Sequence, residues 1–476
     1  MSRKPLVFSL ILALAGCAGS QLSQDTASHA EAGDVSVSTH TRTSVATGGD
    51  GAAAPMAPMA DSGGAPVRVA EGGMPGGGEM AMEEAPAMAP PPPAEPATGA
   101  VRATTTTSTT TTVTVTVDTP TPTPAEVQQI QQPVRALTAA TVGDHDRRGN
   151  YLQYLGRHPF EAQRLGLDMT RRVRFKVVDA GGQPLNDAAL SIQIGNSSIQ
   201  GRTHADGVWD FFPGMHQVAG NANVVVSANG SQGRAQLFVN GQGDSQDVVL
   251  RLNQVQAQSA RVLDLGFLID VTGSMEDELR YVNSEIADIV ARITAEAPET
   301  QVRVGAVFYR DRHDSPALQR IAFTRDIGGF ARAMQGIHAS GGGDYPEDLN
   351  AGLHQAIAGL GWTGGNAVRT LVVISDAPPQ RYQTQFDYRT AMLQAAARGI
   401  RILPVAASGA DREVEFLFRA MATMTSSPYV YLTDDSGIGN HHMEADTDRV
   451  AVEYFHDLLT RLVIDDIHGH GMHEAI

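Results

Sequence analysis

The chain has 476 residues, of which 42% are hydrophobic and only 5% aromatic, so it is long enough for two or three domains. Its formal net charge of −17 argues against a nucleic-acid partner, because proteins that bind nucleic acid concentrate Lys and Arg to displace phosphate counterions. The presence of one cysteine excludes any intramolecular disulfide framework.

The first predicted element, residues 1–16, is an export signal. Arg3 and Lys4 precede an apolar run that is shorter than the roughly 20 residues needed to cross a bilayer. The segment Leu14-Ala15-Gly16-Cys17 resembles the lipobox of bacterial lipoproteins, in which the cysteine carries the lipid. The resemblance implies a chain anchored in the bacterial cell envelope through Cys17. Because Ala18 stands where an inner-membrane retention signal usually has Asp, it also implies the outer membrane.

Residues 17–136 form the second predicted segment and are rich in Ala, Pro, Gly and Thr. They include the prolines at 90–93 and a Thr-rich run at 104–112, and they show no core-forming period. Such a composition buries too little apolar surface to offset the entropy of the chain. We therefore predict a long disordered N-terminal tether.

Two smaller segments come next. Residues 137–168 regain Leu, Tyr and Phe and are predicted as a short ordered lead-in. From residue 169 to 255, alternating patterns such as Val173, Phe175 and Val177 predict a small β-sandwich. The phrases at 177–185 and 203–207 resemble carboxypeptidase-regulatory and transthyretin-like modules, which are usually spacers. Asp206 and Trp209 are accordingly predicted as turn and core residues.

The last predicted domain spans residues 261–466, where apolar runs alternate with amphipathic segments. Strands are predicted at 262–269, 302–308, 370–374 and 400–405. Helices are predicted over the stripe from Leu279 to Ile293 and at 330–337, 348–360, 388–397, 414–424 and 447–462. This alternation predicts an α/β, Rossmann-like fold with a doubly wound, mostly parallel sheet, whose ligands bind at the carboxyl ends of the strands.

A candidate metal site follows the first of these strands. Asp270, Thr272 and Ser274 alternate with other residues, so a strand-to-helix loop can turn all three side chains toward one point. Hard oxygen donors of this kind suit Mg²⁺, Ca²⁺ or Mn²⁺. The positive end of the following helix would repel a cation, so further carboxylates are expected from elsewhere in the fold.

The pattern Asp-x-Thr-x-Ser resembles the motif that opens the metal-ion-dependent adhesion site of von Willebrand factor type A domains, in its Thr variant. The resemblance covers residues 261–466 and implies a further acidic ligand after the fourth strand, matched by Asp376. The family's usual middle Thr is missing from the Gly-rich loop at 340–348. Asp344-Tyr345-Pro346-Glu347 instead resembles the Asp-x-Pro-Glu of integrin β-type domains, which implies Glu347 as the metal ligand, with Asp344 as the alternative.

The function implied is that of a lipid-anchored protein that binds a partner protein, one offering an acidic residue to the metal, and not that of an enzyme. A periplasmic scaffold in envelope assembly is one alternative. A metal-dependent hydrolase is another, although the sequence has no His-Glu-x-x-His, Gly-x-Ser-x-Gly or phosphate-cradling loop and no catalytic residue is assigned.

Three other polar features are predicted to be exposed. Residues 309–314 are predicted as a solvated charged loop, with partner recognition or the metal rim as the alternative. The pair His441-His442 and the histidines of the tail at 467–476 are predicted to be flexible or frayed, with transition-metal binding as the alternative.

Overall fold

The computed structural model describes residues 35–42, 136–239, 245–382 and 384–474. The predicted signal peptide, Cys17 and most of the predicted tether lie outside these residues. Within the tether, Val35–Arg42 form a strand, β1, that pairs antiparallel with Ser245–Leu252. The prediction of disorder is therefore wrong for these eight residues, because the backbone hydrogen bonds of β1 are made with a strand about 200 residues away.

Residues 172–252 and β1 form two four-stranded sheets that share one hydrophobic core. The strands are β3 (Arg172–Asp179), β4 (Ala189–Ile194), β5 (Ser197–Arg202), β6 (Val208–Phe211), β7 (Gly220–Ala228), β8 (Ser231–Val239) and β9 (Ser245–Leu252). One sheet has the order β1-β9-β3-β6 and the other β5-β4-β7-β8. Trp209 is buried in the shared core, as predicted.

The larger unit is built on an eight-stranded sheet. Its strands are β2 (Thr138–Val142), β10 (Val262–Asp270), β11 (Gln301–Tyr309), β12 (Leu318–Thr324), β13 (Ala367–Ser375), β14 (Arg401–Ala406), β15 (Tyr429–Leu432) and β16 (Glu453–Tyr454). Their order is β12-β11-β10-β13-β14-β15-β2-β16, and the five central strands from β11 to β15 are parallel. The structure thus confirms the predicted α/β class with a mostly parallel sheet.

Helices cover both faces of this sheet. They are α1 (Arg148–Arg157), α2 (Pro159–Leu165), α4 (Glu276–Glu296), α5 (Ile327–Gln335), α6 (Leu349–His354), α7 (Tyr388–Arg398), α8 (Arg412–Met424) and α9 (Phe455–Ile467); the short α3 (Pro213–His216) follows β6. Successive strand residues face opposite sides, so Phe267 and Ile269 enter one buried cluster and Leu268 enters the other. None of the helices in the described part of the chain combines the length and apolar content needed to span a membrane.

The predicted lead-in is an integral part of the large unit. Strand β2 pairs antiparallel with β15 and extends the sheet. Arg419 of α8 donates to both carboxylate oxygens of Asp144, at 2.6 and 2.8 Å, and both side chains are buried. The segment predicted as a flexible tail is also packed, because Met472 is fully buried in the core.

Replacing Gly201 with alanine is expected to destabilise the two-sheet unit by about 1–3 kcal/mol. A Cβ at this position would lie 2.1 Å from Cε2 of the buried Trp209, so the ring or the strand must shift. Urea unfolding followed by tryptophan fluorescence measures the loss. Gly156→Ala is the control: no atom lies within 4 Å of its added Cβ, and the helix should gain up to about 1 kcal/mol. Equal stability of both variants would contradict the steric account.

Candidate metal centre

The candidate site lies at the carboxyl end of β10. The chain continues to β11 on one side of β10 and later to β13 on the other, so the strand order reverses there. Doubly wound sheets bind ligands at such a reversal. In the register of the parallel strands, Asp270 pairs with Tyr309 and Ile269 with Ile374. The loops after β10, β11 and β13 therefore meet at one edge of the sheet.

The buried carboxylate of Asp270 organises the loop after β10. Its Oδ1 accepts hydrogen bonds from the N–H of Thr272 at 2.9 Å and from the Thr272 hydroxyl at 2.7 Å. Its Oδ2 accepts one from the hydroxyl of Ser375 at 3.1 Å. The hydroxyls of Thr272 and Ser274 lie 3.2 Å apart, and Ser274 is exposed at the rim. The three side chains of the sequence motif are thus brought together.

Asp376 joins this cluster from the end of β13. The residue is 2% exposed, and the nearby hydroxyl of Ser274 favours the charged form of its carboxyl group. Burial, together with the nearby charge of Asp270, raises the pKa of Asp376 to about 7. Its Oδ1 is buried and has no hydrogen-bond partner among the described residues.

Glu347 reaches the cluster from the Gly-rich loop. Its backbone is fixed on the loop after β13, since its N–H donates to the carbonyl of Pro378 at 3.0 Å and its carbonyl accepts from the N–H of Gln380 at 2.7 Å. A Cβ added to Gly342 would lie 2.7 Å from Oε1 of Glu347 and 3.3 Å from Cβ of Thr272. The glutamate carboxylate and the motif threonine therefore lie against the same glycine.

The environment of Glu347 disfavours its charged form. The residue is 4% exposed, and its Oε2 is buried without a hydrogen-bond partner in the described part of the chain. Burial, with the repulsion of neighbouring carboxylates, raises the pKa of Glu347 to about 9. The carboxylates that contribute are those of Asp270, Asp311, Asp314 and Asp376.

Asp344, the alternative that the sequence left open, is placed differently. It is exposed, and its Oδ2 accepts a hydrogen bond from Nε2 of Gln380 at 2.9 Å. Of the two candidates in the Gly-rich loop, Glu347 is therefore the one that lies beside the motif threonine.

Two buried hydroxyls that were not predicted from the sequence form a hydrogen-bond chain that ends on Asp270. The hydroxyl of Tyr309 donates to Oγ of Ser375 at 2.8 Å, and Ser375 donates to Asp270; both hydroxyl residues are fully buried. The positions of these two residues in the sequence and in the sheet could have identified them. Tyr309 is the register partner of Asp270, and Ser375 directly precedes Asp376.

The loop at 309–314 is not simply solvated as predicted. Arg310 and Asp311 are only 8% and 7% exposed. Nε of Arg310 donates to the carbonyl of Val271 at 3.1 Å, and its Nη2 donates to the carbonyl of His338 at 3.0 Å. The prediction is wrong for these two residues and for the fully buried Tyr309. The guanidinium of Arg310 joins the motif loop to the segment before the Gly-rich loop, and the carboxylate of Asp311 accepts from the hydroxyl of Tyr382 at 2.8 and 2.9 Å.

His442, predicted to be frayed, is buried between two carboxylates. Its Nδ1 lies 2.8 Å from Oδ1 of Asp434, and its Nε2 is within hydrogen-bond distance of Oε1 of Glu278. Against the lowering effect of burial, these hydrogen bonds hold the pKa of His442 above its ordinary value. Since Glu278 lies in the first turn of α4, this contact fixes the helix that follows the motif loop.

The donor set fits a divalent cation. Three carboxylates and two hydroxyls are the hard oxygen donors that Mg²⁺, Ca²⁺ and Mn²⁺ take in proteins. The unpartnered oxygens of Glu347 and Asp376 are also what a cation would satisfy, because buried polar atoms without partners are costly.

Comparison with known proteins identifies a domain family for part of the chain. Residues 264–443 match the family model of the von Willebrand factor A domain. A stretch of 130 residues is 28% identical to alpha-protein kinase vwkA of Dictyostelium discoideum, covering 27% of this chain and 20% of that protein. A stretch of 188 residues is 26% identical to a putative ariadne-like RING finger protein of Acanthamoeba polyphaga mimivirus, covering 36% and 18%.

Among solved structures, the pilus adhesin SpaC from Lactobacillus rhamnosus GG matches with a TM-score of 0.32 and 12% identity. That match covers 52% of this chain and 33% of the adhesin. The chain thus spans only a minor part of each of these three proteins. The family match alone assigns a domain: residues 264–443 constitute a von Willebrand factor A domain.

Proposed function

We propose that this domain binds a partner protein through a divalent cation, with Mg²⁺ as the first choice and Ca²⁺ or Mn²⁺ as alternatives. The ligands proposed are Asp270, Thr272, Ser274, Glu347 and Asp376. A von Willebrand factor A domain supports a protein-interaction or adhesion role. The observation that carries the metal is the pair of buried, unpartnered carboxylate oxygens, on Glu347 and Asp376, in the described part of the chain.

The proposed ligands are of two kinds, neutral hydroxyls and carboxylates. Thr272 and Ser274 contribute neutral hydroxyls, and Ser274 is exposed, so a partner has access to this side of the site. The bound ion supplies a position for an oxygen donor of the partner, for which we propose an acidic side chain. An ionised Glu347 weakens the attraction between the ion and an acidic donor. The negative charges of Asp270, Glu347 and Asp376 together exceed the positive charge of a divalent cation. The charge of Glu347 therefore sets how strongly an acidic donor is held.

The sequence of the first 136 residues supports the cellular part of the proposal. A lipid on Cys17 would anchor the chain in the bacterial cell envelope, with the outer membrane as the proposed location, and the residues between Cys17 and β1 would join the lipid to the folded part. We assign no catalytic residue to the site. The proposed role is recognition, in which the metal contact makes binding directional and sensitive to chelators.

Pull-down from native envelopes with the full chain tests this function. We expect a partner to be captured in Mg²⁺ and lost in EDTA, and the Asp376→Ala variant to capture at least about tenfold less of it in Mg²⁺, since a ligand of the ion is removed. Asp344→Ala is the matched control, because Asp344 lies in the neighbouring loop but is exposed and bonded to Gln380. Equal capture in Mg²⁺, in EDTA and by Asp376→Ala would refute the proposal.

A further inference from the structure

A second cluster of metal-ligating side chains lies where the turn after β2 meets the end of the chain. Nε2 of His145 lies 3.2 Å from Oδ2 of Asp146, and Nδ1 of His473 lies 2.5 Å from the same oxygen. One potential ligand atom from each of the three residues lies within 4.8 Å of the other two. Asp146 and His473 are 327 residues apart in the sequence, so only the fold reveals the cluster.

The two ring nitrogens of His473 face different groups. Nε2 lies 2.7 Å from the carbonyl oxygen of His470, which only accepts hydrogen bonds, so Nε2 carries a hydrogen. In a neutral ring Nδ1 then has a lone pair directed at the carboxylate of Asp146. Either a second proton on the ring or a shared cation satisfies this contact. Metal-ligating histidines commonly adopt this arrangement, with the far N–H donated to a backbone carbonyl.

His145 is the buried member of the cluster. It is 3% exposed, and its Nδ1 has no hydrogen-bond partner among the described residues. The backbone is held in place by Arg172 and Arg174, which donate to the His145 carbonyl at 2.6 and 3.0 Å.

Asp146 offers one oxygen to the histidines and the other to a cationic side chain. Its Oδ1 lies 3.9 Å from Nη1 of Arg174, whereas Oδ2 faces both imidazoles. This division leaves Oδ2 as a single ligand oxygen. The side chains of Asp146 and His473 are 34% and 54% exposed, so an ion from solution can reach the cluster.

The tail that carries His473 is held by contacts other than those of the cluster. Met472 is fully buried, and the carbonyl of His473 accepts from Arg461 at 3.1 Å. Glu474 accepts from the N–H of Gly143 at 3.1 Å and from Arg147 at 2.8 Å. The ligand atoms are therefore brought together before any ion binds, which lowers the entropic cost of binding it.

We propose that His145, Asp146 and His473 form a binding site for a transition-metal dication such as Zn²⁺, with solvent completing the coordination. Two imidazoles and one carboxylate suit such ions, whereas Mg²⁺ and Ca²⁺ take oxygen donors. The ligand chemistry thus separates this site from the all-oxygen cluster at β10. A bound ion links the C-terminal tail to the turn after β2.

Titration of the full chain with Zn²⁺ in excess Mg²⁺, followed by calorimetry, tests the site. Wild type should bind one Zn²⁺ at this site. The His473→Ala and Asp146→Asn variants should bind Zn²⁺ at least about tenfold more weakly than wild type. His470→Ala is the control, because its exposed ring lies outside the cluster and its backbone carbonyl is kept. The wild-type affinity should be retained by Asp270→Asn, which keeps this test independent of the function proposed above.

Hydrogen exchange gives a second readout. Zn²⁺ should slow exchange at residues 469–474 in wild type and in His470→Ala, but not in His473→Ala. His473 is half exposed, so its replacement leaves the fold intact, unlike replacement of the buried His145. If His473→Ala and Asp146→Asn bind Zn²⁺ with the affinity and stoichiometry of wild type, the site is not formed by these residues.

Discussion

Replacing Asp270 with asparagine is expected to weaken Mg²⁺ binding by more than about 100-fold. Loss of a group that only supports a metal ligand costs roughly 10- to 100-fold in affinity, and Asp270 is proposed to be a ligand itself. The substitution removes a charge from the ligand at the centre of the motif loop. The amide keeps the size of the side chain and an oxygen that accepts from Thr272, as the carboxylate does. Calorimetric titration of chelator-treated protein measures the change in affinity, and circular dichroism checks that the fold is preserved.

Asp344→Asn makes the same chemical change in the loop that carries Glu347. Because Asp344 is exposed and bonded to Gln380, its replacement should leave Mg²⁺ affinity essentially unchanged. Together the two variants separate the coordination of the ion from the general negative charge of this face. Loss of affinity in both variants, or in neither, would argue against a discrete site at Asp270.

The buried strands of the large sheet could be predicted from the sequence because both of their faces are covered. Their apolar runs are nearly continuous, so the predicted strand at 262–269 ends one residue before the observed Val262–Asp270. Strands that alternate with helices run parallel in one sheet, so their carboxyl ends, which carry Asp270 and Asp376, lie at the same edge of that sheet. This part of the candidate site followed from local pattern and topology.

Contacts between distant segments could not be predicted in this way. Strand β2 is only five residues long, and its partner β15 lies almost 300 residues further along the chain. The last helix was predicted at 447–462 but is Phe455–Ile467, because Glu453–Tyr454 pair with β2 instead of forming a helical turn. His442 and Met472 are buried by similar long-range packing, which leaves no periodic signal in their own neighbourhoods.

Raising the pH should destabilise the metal-free protein and strengthen its binding of Mg²⁺. The folded-state pKa of Glu347, about 9, lies above its ordinary value of 4.5, and that of Asp376, about 7, lies above 3.8. At a pH between the ordinary and the folded-state pKa of either group, the folded chain keeps a proton that the unfolded chain has released. The free energy of unfolding therefore falls as the pH rises through this range. Mg²⁺ must displace the same protons, so its affinity should rise by up to about tenfold per pH unit for each one.

Thermal unfolding and Mg²⁺ titration from pH 5.5 to about 9 measure both effects, and Glu347→Gln separates them. A neutral amide has no proton to release, so the metal-free variant should lose less stability than wild type across this range. The variant should also bind Mg²⁺ more weakly and with a shallower pH dependence, since the proton of Glu347 no longer has to be displaced. A Glu347→Gln protein that keeps the affinity and pH profile of wild type would show that this glutamate does not contact the ion. In that case the carboxylates of Asp270 and Asp376 would have to hold it with the hydroxyls of the motif loop alone.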